Sequence, residues 1–92
     1  MENLGLLTRI RPARIMTRKS KADLLKIYDR VGPFHEGLAW AWKGRQRFHI
    51  RRDGEPAYNQ RFDQVMHFRK GFAWVKKDGV YFKINHEGIR VN

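Results

Sequence analysis

This sequence of 92 residues contains no cysteine, so neither a disulfide nor a thiolate metal site can hold its fold together. Ser20 is its only serine, and no glycine-rich phosphate loop is present, so two common kinds of catalytic motif have no candidate. No apolar run approaches the length of a membrane-spanning helix or of a signal-peptide core. We therefore expect a cytoplasmic protein that is not an enzyme and does not enter a membrane.

Acidic residues are also scarce: 9 aspartates and glutamates stand against 20 lysines and arginines, which gives a net charge of +11. Such an excess attracts nucleic acid and other polyanions whatever the fold. Apolar residues make up 41% of the chain and aromatic residues 13%. At this length they suffice for one small domain with a thin core.

What the chain does contain is an internal repeat. Residues 37–54 read GLAWAWKGRQRFHIRRDG, and 34 residues later residues 71–88 read GFAWVKKDGVYFKINHEG. The same spacing pairs Asp29 with Asp63, Val31 with Val65 and Phe34 with Phe68. We predict two copies of one unit, 28–61 and 62–92, that form one domain, preceded by a basic lead-in and a capping helix in residues 1–27.

Each unit contains two short runs of aromatic and β-branched residues that are separated by two turn residues. Asp78 and Gly79 predict a type I′ hairpin turn, whereas Gly44 and Arg45 suit a type II′ turn. A two-residue loop fixes the register of the two strands. The predicted fold class is mainly β: two antiparallel β-hairpin repeats of 34 residues with a short N-terminal α-helix as cap.

Side chains alternate between the two faces of a strand, so the register assigns each hairpin a core face and an outer face. The predicted core residues are Ala39, Ala41, Phe48 and Ile50 in the first hairpin, and Ala73, Val75, Phe82 and Ile84 in the second. The outer face is aromatic and basic. It is the candidate binding face, and its residues are Trp40, Trp42, Arg47, His49, Trp74, Lys76, Tyr81 and Lys83.

Two interpretations of this outer face stay open. Rings interleaved with cations can stack nucleic-acid bases while the cations contact phosphates. Alternatively, the tryptophans pack against the neighbouring unit or the helix, and the stems of lysine and arginine cover their edges.

Residues 1–16 mix apolar and basic positions loosely and predict an irregular or short extended lead-in. Thr17 or Ser20 then provides an N-cap for a helix of about two to three turns from Ala22 to Tyr28. Its Leu24 and Tyr28 edge is expected to pack over the first unit.

The remaining polar residues suggest structural roles. The four histidines, His35, His49, His67 and His86, occupy four different positions within the repeat, and their spacing matches no zinc motif. The paired carboxylates, Asp29 with Asp63 and Asp53 with Glu87, lie beside turns or strand starts, where such groups accept backbone N–H bonds. We predict neither a metal site nor a cofactor.

Residues 28–92 resemble the WG-type β-repeats of bacterial proteins. The matching positions are Phe34, Glu36, Gly37, Leu38 and Ala39, followed by Phe48, Ile50, Asp53 and Gly54. The second unit departs from the pattern at Arg69, Lys70 and Glu87, and neither hairpin has a Trp-Gly pair after its turn. The resemblance implies a non-catalytic β-repeat that presents an interaction surface. Our first expectation is a protein partner or self-association, and the alternative is nonspecific nucleic-acid binding.

Overall fold

The structure is a computed structural model that describes residues 17–92. The predicted lead-in of residues 1–16 lies outside the described residues. The division into a lead-in with a capping helix and two repeat units as one domain stays a prediction.

A short helix, α1, spans Lys21–Leu24. Of the two predicted caps, Ser20 is the one used, since its hydroxyl accepts a hydrogen bond from the Asp23 N–H at 3.1 Å. The helix is shorter than predicted, because the N–H groups of Lys26 and Ile27 bond to carbonyls three residues back and not four. This tighter turn directs Tyr28 into the core.

Six strands follow and form two three-stranded antiparallel sheets. The first sheet has the order β1, β2, β3 and consists of Arg30–Val31, Ala39–Lys43 and Gln46–Ile50. The second has the order β4, β5, β6 and consists of Gln64–Val65, Ala73–Lys77 and Val80–Ile84. The mainly β fold class and the two hairpins are therefore confirmed, and a two-residue strand joins each hairpin as a third strand.

The predicted hairpin registers are also confirmed. Trp40 lies opposite His49, and Trp74 lies opposite Lys83. In the second turn both central residues have positive φ, 51° at Asp78 and 83° at Gly79, as a type I′ turn requires. In the first turn only Gly44, at 61°, has positive φ, as a type II′ turn requires.

The core runs through both units. Seven of the eight predicted core residues are buried, and Phe82 is partly buried against them. The helix, the linker and the arm before each hairpin contribute the remaining buried residues, which are Leu24, Tyr28, Val31, Leu38, Tyr58, Phe62 and Phe68. The predicted packing of the Leu24 and Tyr28 edge is confirmed, since Tyr28 meets Phe48 edge to face at 5.7 Å.

Each unit repeats the same side-chain hydrogen bonds. Asp29 accepts a bond from the turn N–H of Gly44 at 2.7 Å, and Lys43 Nζ donates to the carbonyl of Ile27 at 2.9 Å. The equivalent bonds in the second unit join Asp63 to the N–H of Asp78 at 2.8 Å and Lys77 to the carbonyl of Arg61 at 3.1 Å. The carboxylates at the strand starts thus have the predicted role.

The turns after β3 and β6 differ in their carboxylate. Asp53 accepts the N–H of Glu55 as predicted, but in the second unit Asn85, and not Glu87, accepts the backbone N–H bonds. Glycines with positive φ stand at the same place in each turn, Gly54 at 89° and Gly88 at 79°. The Leu24 side chain covers the first of them and the Tyr58 side chain covers the second.

Candidate functional site

The candidate binding face does not lie on one continuous surface. Its first-unit residues, Trp40, Trp42, Arg47 and His49, are buried or partly buried, whereas Trp74 and Tyr81 of the second unit are exposed. Lys76 and Lys83 lie beside these exposed rings. The two units therefore use the same positions of the hairpin in different ways.

His49 belongs to the candidate binding face by its position in the hairpin, but its side chain is 0% exposed and therefore not available to a ligand. Tyr58 and Phe68 cover it, the Phe68 ring at a centroid distance of 4.5 Å. Its Nε2 lies 2.7 Å from the Met66 carbonyl, and its Nδ1 lies 2.6 Å from the Tyr58 hydroxyl. A carbonyl can only accept, so Nε2 carries the proton and the Tyr58 hydroxyl donates to Nδ1.

Burial sets the protonation of this pair. Desolvation lowers the pKa of His49 from 6.5 to about 4, so the imidazole is neutral at pH 7. Desolvation also raises the pKa of Tyr58 well above its ordinary value, so its hydroxyl keeps the proton that it donates. His49 is thus a structural link between the units and not a surface cation.

Trp40 lies against the backbone of Gly32. A Cβ atom added at Gly32 would be only 2.2 Å from Cε2 of the indole, so no larger side chain fits there unless the ring moves. Position 66 is the equivalent place in the second unit and holds a methionine. Trp74 therefore has no glycine at the equivalent position, and it is 44% exposed.

Two arginines cover Trp42. The guanidinium carbon of Arg47 lies 3.9 Å from the ring centroid, and that of Arg30 lies 5.1 Å from it. Arg47 also donates to the Asp63 carbonyl, at 3.3 Å, while its Nε is buried with no partner among the described residues. These contacts leave little of the Trp42 ring for a ligand.

The second unit presents the exposed apolar surface. Nine large hydrophobic side chains are exposed within residues 17–92, and seven of them belong to this unit. They are Met66, Phe72, Trp74, Val80, Tyr81, Ile89 and Val91. The other two, Leu25 and Ile27, follow α1.

A groove of about 420 Å³ opens on this surface. Its lining combines two exposed rings with basic side chains and contains no carboxylate. Lys83 Nζ lies 5.5 Å from the ring centroids of both Phe72 and Trp74. The lining residues are Met66, His67, Arg69, Lys70, Phe72, Trp74 and Lys83. The groove can accept a planar or apolar group that carries negative charge.

Glu36 links the loop of the first unit to the second. Its carboxylate accepts from the Gly71 N–H at 3.0 Å and lies 2.9 Å from His86 Nε2. The hydrogen bond to His86 is the main cause of the lowered pKa of Glu36. His35 and His67 stack nearby at 4.3 Å between ring centroids.

Other kinds of site are absent from the part of the chain that the structure describes. Within residues 17–92, no group of three or more histidine or acidic side chains is arranged to hold a metal ion. No helix in this range is long and apolar enough to cross a bilayer.

A family model described as "WG containing repeat" matches residues 25–44 and 50–81, which is more than half of the chain. The chain belongs to the WG containing repeat family. Neither the curated proteins nor the solved structures include a match to it. The resemblance that the sequence suggested is therefore confirmed.

The groove of the second WG repeat contains residues that the sequence did not predict as site residues. The groove adds Met66, His67, Arg69 and Lys70, which lie before β5 and outside the predicted hairpin face. One signal for them was available, since Arg69 and Lys70 stand where the first repeat has His35 and Glu36. No comparable signal marked the burial of His49, because its partners Tyr58 and Met66 lie outside the hairpins.

Proposed function

We propose that this chain is a non-catalytic module that binds a protein partner, or a second copy of itself, through the exposed surface of its second WG repeat. One observation carries the proposal: seven of the nine exposed large hydrophobic side chains within residues 17–92 belong to that repeat. Three of them, Met66, Phe72 and Trp74, line one groove together with basic side chains, and exposed apolar surface rimmed by polar residues is typical of interaction sites. Cytoplasmic residence stays a prediction from the N-terminal sequence.

The first repeat supports this assignment by contrast. Its tryptophans rest on Gly32 and between two arginines, so they belong to the structural packing. The equivalent Trp74 projects beside Phe72 without such cover. Aromatic side chains that are exposed in a free protein are frequent anchors of interfaces.

A pair of double variants tests the proposal. Phe72→Ser with Trp74→Ser removes two rings that are 42% and 44% exposed, whereas Leu25→Ser with Ile27→Ser removes side chains that are 47% and 41% exposed on the helix side. We expect self-association, measured by light scattering, or capture of a partner from the source cell, to be lost only in the first double variant. Equal behaviour of both variants, or a wild type that is monomeric and captures nothing, would contradict the proposal.

Nonspecific binding of single-stranded nucleic acid is the second candidate. The groove favours it, because Phe72 and Trp74 are exposed beside Arg69, Lys70 and Lys83 without any lining carboxylate. Bases can stack on such rings while the cations contact phosphates.

A salt titration separates this candidate from simple charge attraction. Binding of single-stranded RNA or DNA that persists above about 150 mM salt and is lost in Trp74→Ala would support stacking. Trp42→Ala is the control, since that ring is covered by two arginines. Weak binding that disappears by about 150 mM salt and is the same in both variants indicates counterion release alone.

A further inference from the structure

The four histidines of the chain meet at the junction between the two repeats, although they occupy four different positions within the repeat. His35 of the first repeat stacks on His67 of the second, with 4.3 Å between the ring centroids. Phe68 contacts both His49 and His86, at centroid distances of 4.5 Å and 4.6 Å. Histidine is the side chain that changes its charge near neutral pH, so this junction is where mild acid adds charge.

One segment of the second repeat makes these contacts. We call residues 66–71, which lie between β4 and β5, the latch segment. The carbonyl of Met66 accepts a hydrogen bond from His49 at 2.7 Å, and Phe68 covers the same imidazole. Phe68 is 1% exposed, so the latch segment is closed over the first repeat. Its closure depends on a histidine of that repeat.

The closed site fits only a neutral imidazole at His49. Its Nε2 donates to Met66, while its Nδ1 accepts from the Tyr58 hydroxyl at 2.6 Å. A second proton would turn Nδ1 into a donor, so the hydroxyl would lose its acceptor. It would also place a positive charge against the phenyl ring of Phe68, away from water. Protonation of His49 and closure of the latch segment therefore oppose each other.

The surroundings of His49 supply no compensating negative charge. Trp40 lies opposite it on β2, and within residues 17–92 no carboxylate forms an ion pair with it. Burial, and to a smaller extent a charge on His86, lowers its pKa from 6.5 to about 4. When the latch segment opens, the imidazole regains its ordinary pKa. The equilibrium therefore shifts from closed to open as the pH falls from 6.5 toward 4.

The latch segment also carries like charges. It contains Arg69 and Lys70 in addition to His67, and it has no carboxylate. His35 of the first repeat faces His67, and neither imidazole forms an ion pair with an acid in the part of the chain that the structure describes. When acid charges both stacked imidazoles, they repel each other across the junction. This repulsion acts in the same direction as the protonation of His49.

Glu36 holds the far end of the latch segment in acid. Its carboxylate accepts from the Gly71 N–H at 3.0 Å and lies 2.9 Å from His86 Nε2. A charged His86 strengthens this pair, because both partners then carry charge. The hydrogen bond from His86 also lowers the pKa of Glu36, so the carboxylate persists as the pH falls. Acid thus weakens the contacts of Phe68 and preserves the contact of Gly71.

We propose that residues 66–71 form a pH-dependent latch between the two repeats. When acid protonates His49, Phe68 leaves the imidazole and the latch segment opens, while Glu36 holds its end at Gly71. The latch does not depend on the proposed partner-binding function. Opening would also reshape the groove of the second repeat, which the latch segment lines, and this consequence alone rests on that function.

Fluorine NMR of the protein labelled with para-fluorophenylalanine measures the opening. The chain has six phenylalanines, and Phe68→Leu assigns the signal of Phe68. We expect saturation transfer to show an exposed form of Phe68 whose population rises about tenfold or more from pH 7 to pH 5. Phe48 should stay buried. Equal exposure of both rings would mean that the repeat unfolds as a whole, and it would overturn the latch, as would the absence of an exposed form at pH 5.

A matched pair of variants identifies the group that senses the pH. His49→Gln cannot take up the proton, so the rise in exposed Phe68 should shrink to less than about threefold. His86→Gln removes the other imidazole that contacts Phe68 and should keep a rise of about tenfold. A full rise that persists in His49→Gln, or a rise that is lost only in His86→Gln, would overturn the latch.

Imidazole NMR spectra of the wild-type protein decide the question if His49→Gln does not fold. The latch requires that His49 stays neutral at pH 6 in the closed protein. A His49 that titrates near its ordinary pKa of 6.5 would overturn the latch.

Hydrogen exchange tests the fixed end of the latch segment. The Gly71 N–H should stay protected at pH 5 when Phe68 becomes exposed, because the Glu36 carboxylate still accepts it. Loss of its protection together with the exposure of Phe68 would overturn the role of Glu36. None of these measurements uses a partner, so a negative result rejects the latch and leaves the proposed function to its own test.

Discussion

Residues 49 and 83 are equivalent in the repeat, yet one side chain is a buried neutral histidine and the other is a lysine beside exposed rings. The same contrast recurs at Gly32 and Met66, where only the glycine lets a tryptophan lie against the backbone. The hairpins themselves have the same register. The comparison teaches that the segments before and after the hairpin, and not the hairpin itself, decide whether the outer face is core or surface.

Substitutions at residues 49 and 83 should give the largest difference in stability between the two units. His49→Lys places an amine where a tyrosine, a phenylalanine ring and a backbone carbonyl surround the buried imidazole, and we expect it to reduce the free energy of unfolding by ~4 kcal/mol or to prevent folding. Lys83→His should change it by less than ~0.5 kcal/mol. Urea unfolding followed by tryptophan fluorescence measures both. Similar losses of stability in the two variants would show that residues 49 and 83 are equally buried, which would contradict the comparison.

Substitutions at residues 32 and 66, which precede the two hairpins, should give the next largest difference in stability. Gly32→Met forces the Trp40 ring away from the backbone that it covers, and we expect a loss of ~3 kcal/mol. Met66→Gly removes an exposed side chain and should cost ~1 kcal/mol or less. Thermal unfolding of the two variants gives the comparison. A small effect of Gly32→Met would mean that Trp40 can leave its place without cost.

Acid should weaken the first unit through His49. Its pKa in the folded protein, about 4, lies below the ordinary 6.5, so the unfolded chain binds the proton first as the pH falls. The stability present above pH 6.5 is therefore lost as the pH falls toward 4, and by pH 5 this loss amounts to ~2 kcal/mol. Urea unfolding at pH 7 and pH 5 checks the value.

His49→Gln is the control for this pH dependence, because glutamine keeps hydrogen-bonding groups at the site but does not titrate. Between pH 7 and pH 5, this variant should lose ~2 kcal/mol less stability than the wild type, which is the contribution expected from His49. An equal slope in the two proteins would assign the acid sensitivity to other groups.

The smallest difference between the units should come from the feature that they share. Asp29→Ala and Asp63→Ala each remove one exposed hydrogen bond to a turn N–H, 2.7 Å and 2.8 Å long. We expect each to cost ~1 kcal/mol, and the two values to agree within ~0.5 kcal/mol. Urea unfolding of both variants measures the difference. A much larger loss of stability in one unit would show that the two equivalent hydrogen bonds do not contribute equally.

The sequence was sufficient for those features that depend on local chemistry. The turn residues and the alternation of apolar side chains predicted both hairpins, their register and most of their core, because a two-residue loop leaves only one pairing. Ser20 and the carboxylates Asp29 and Asp63 were predicted in the same way, since each bonds to a backbone group that local structure places nearby.

The sequence was insufficient where distant segments meet. His49 is buried by Tyr58 and Phe68, and nothing within the hairpin predicts that these rings cover it. Similarly, Phe62 pairs with the β3 edge, and nothing in the linker sequence predicts which strand it meets. The binding face was therefore assigned to both units, although only the second one exposes it.

The pairing of Leu24 with Gly54 and of Tyr58 with Gly88 has a consequence for engineering. Residues 24 and 58 are 34 positions apart, so a helical residue and a linker residue occupy the same phase of the repeat. The unit that can be copied as a whole therefore begins at the residue whose side chain covers the glycine, and not at the first strand of the sheet. We expect that an inserted copy of residues 58–91 would extend the array, since each copy brings its own cover for the glycine that follows it.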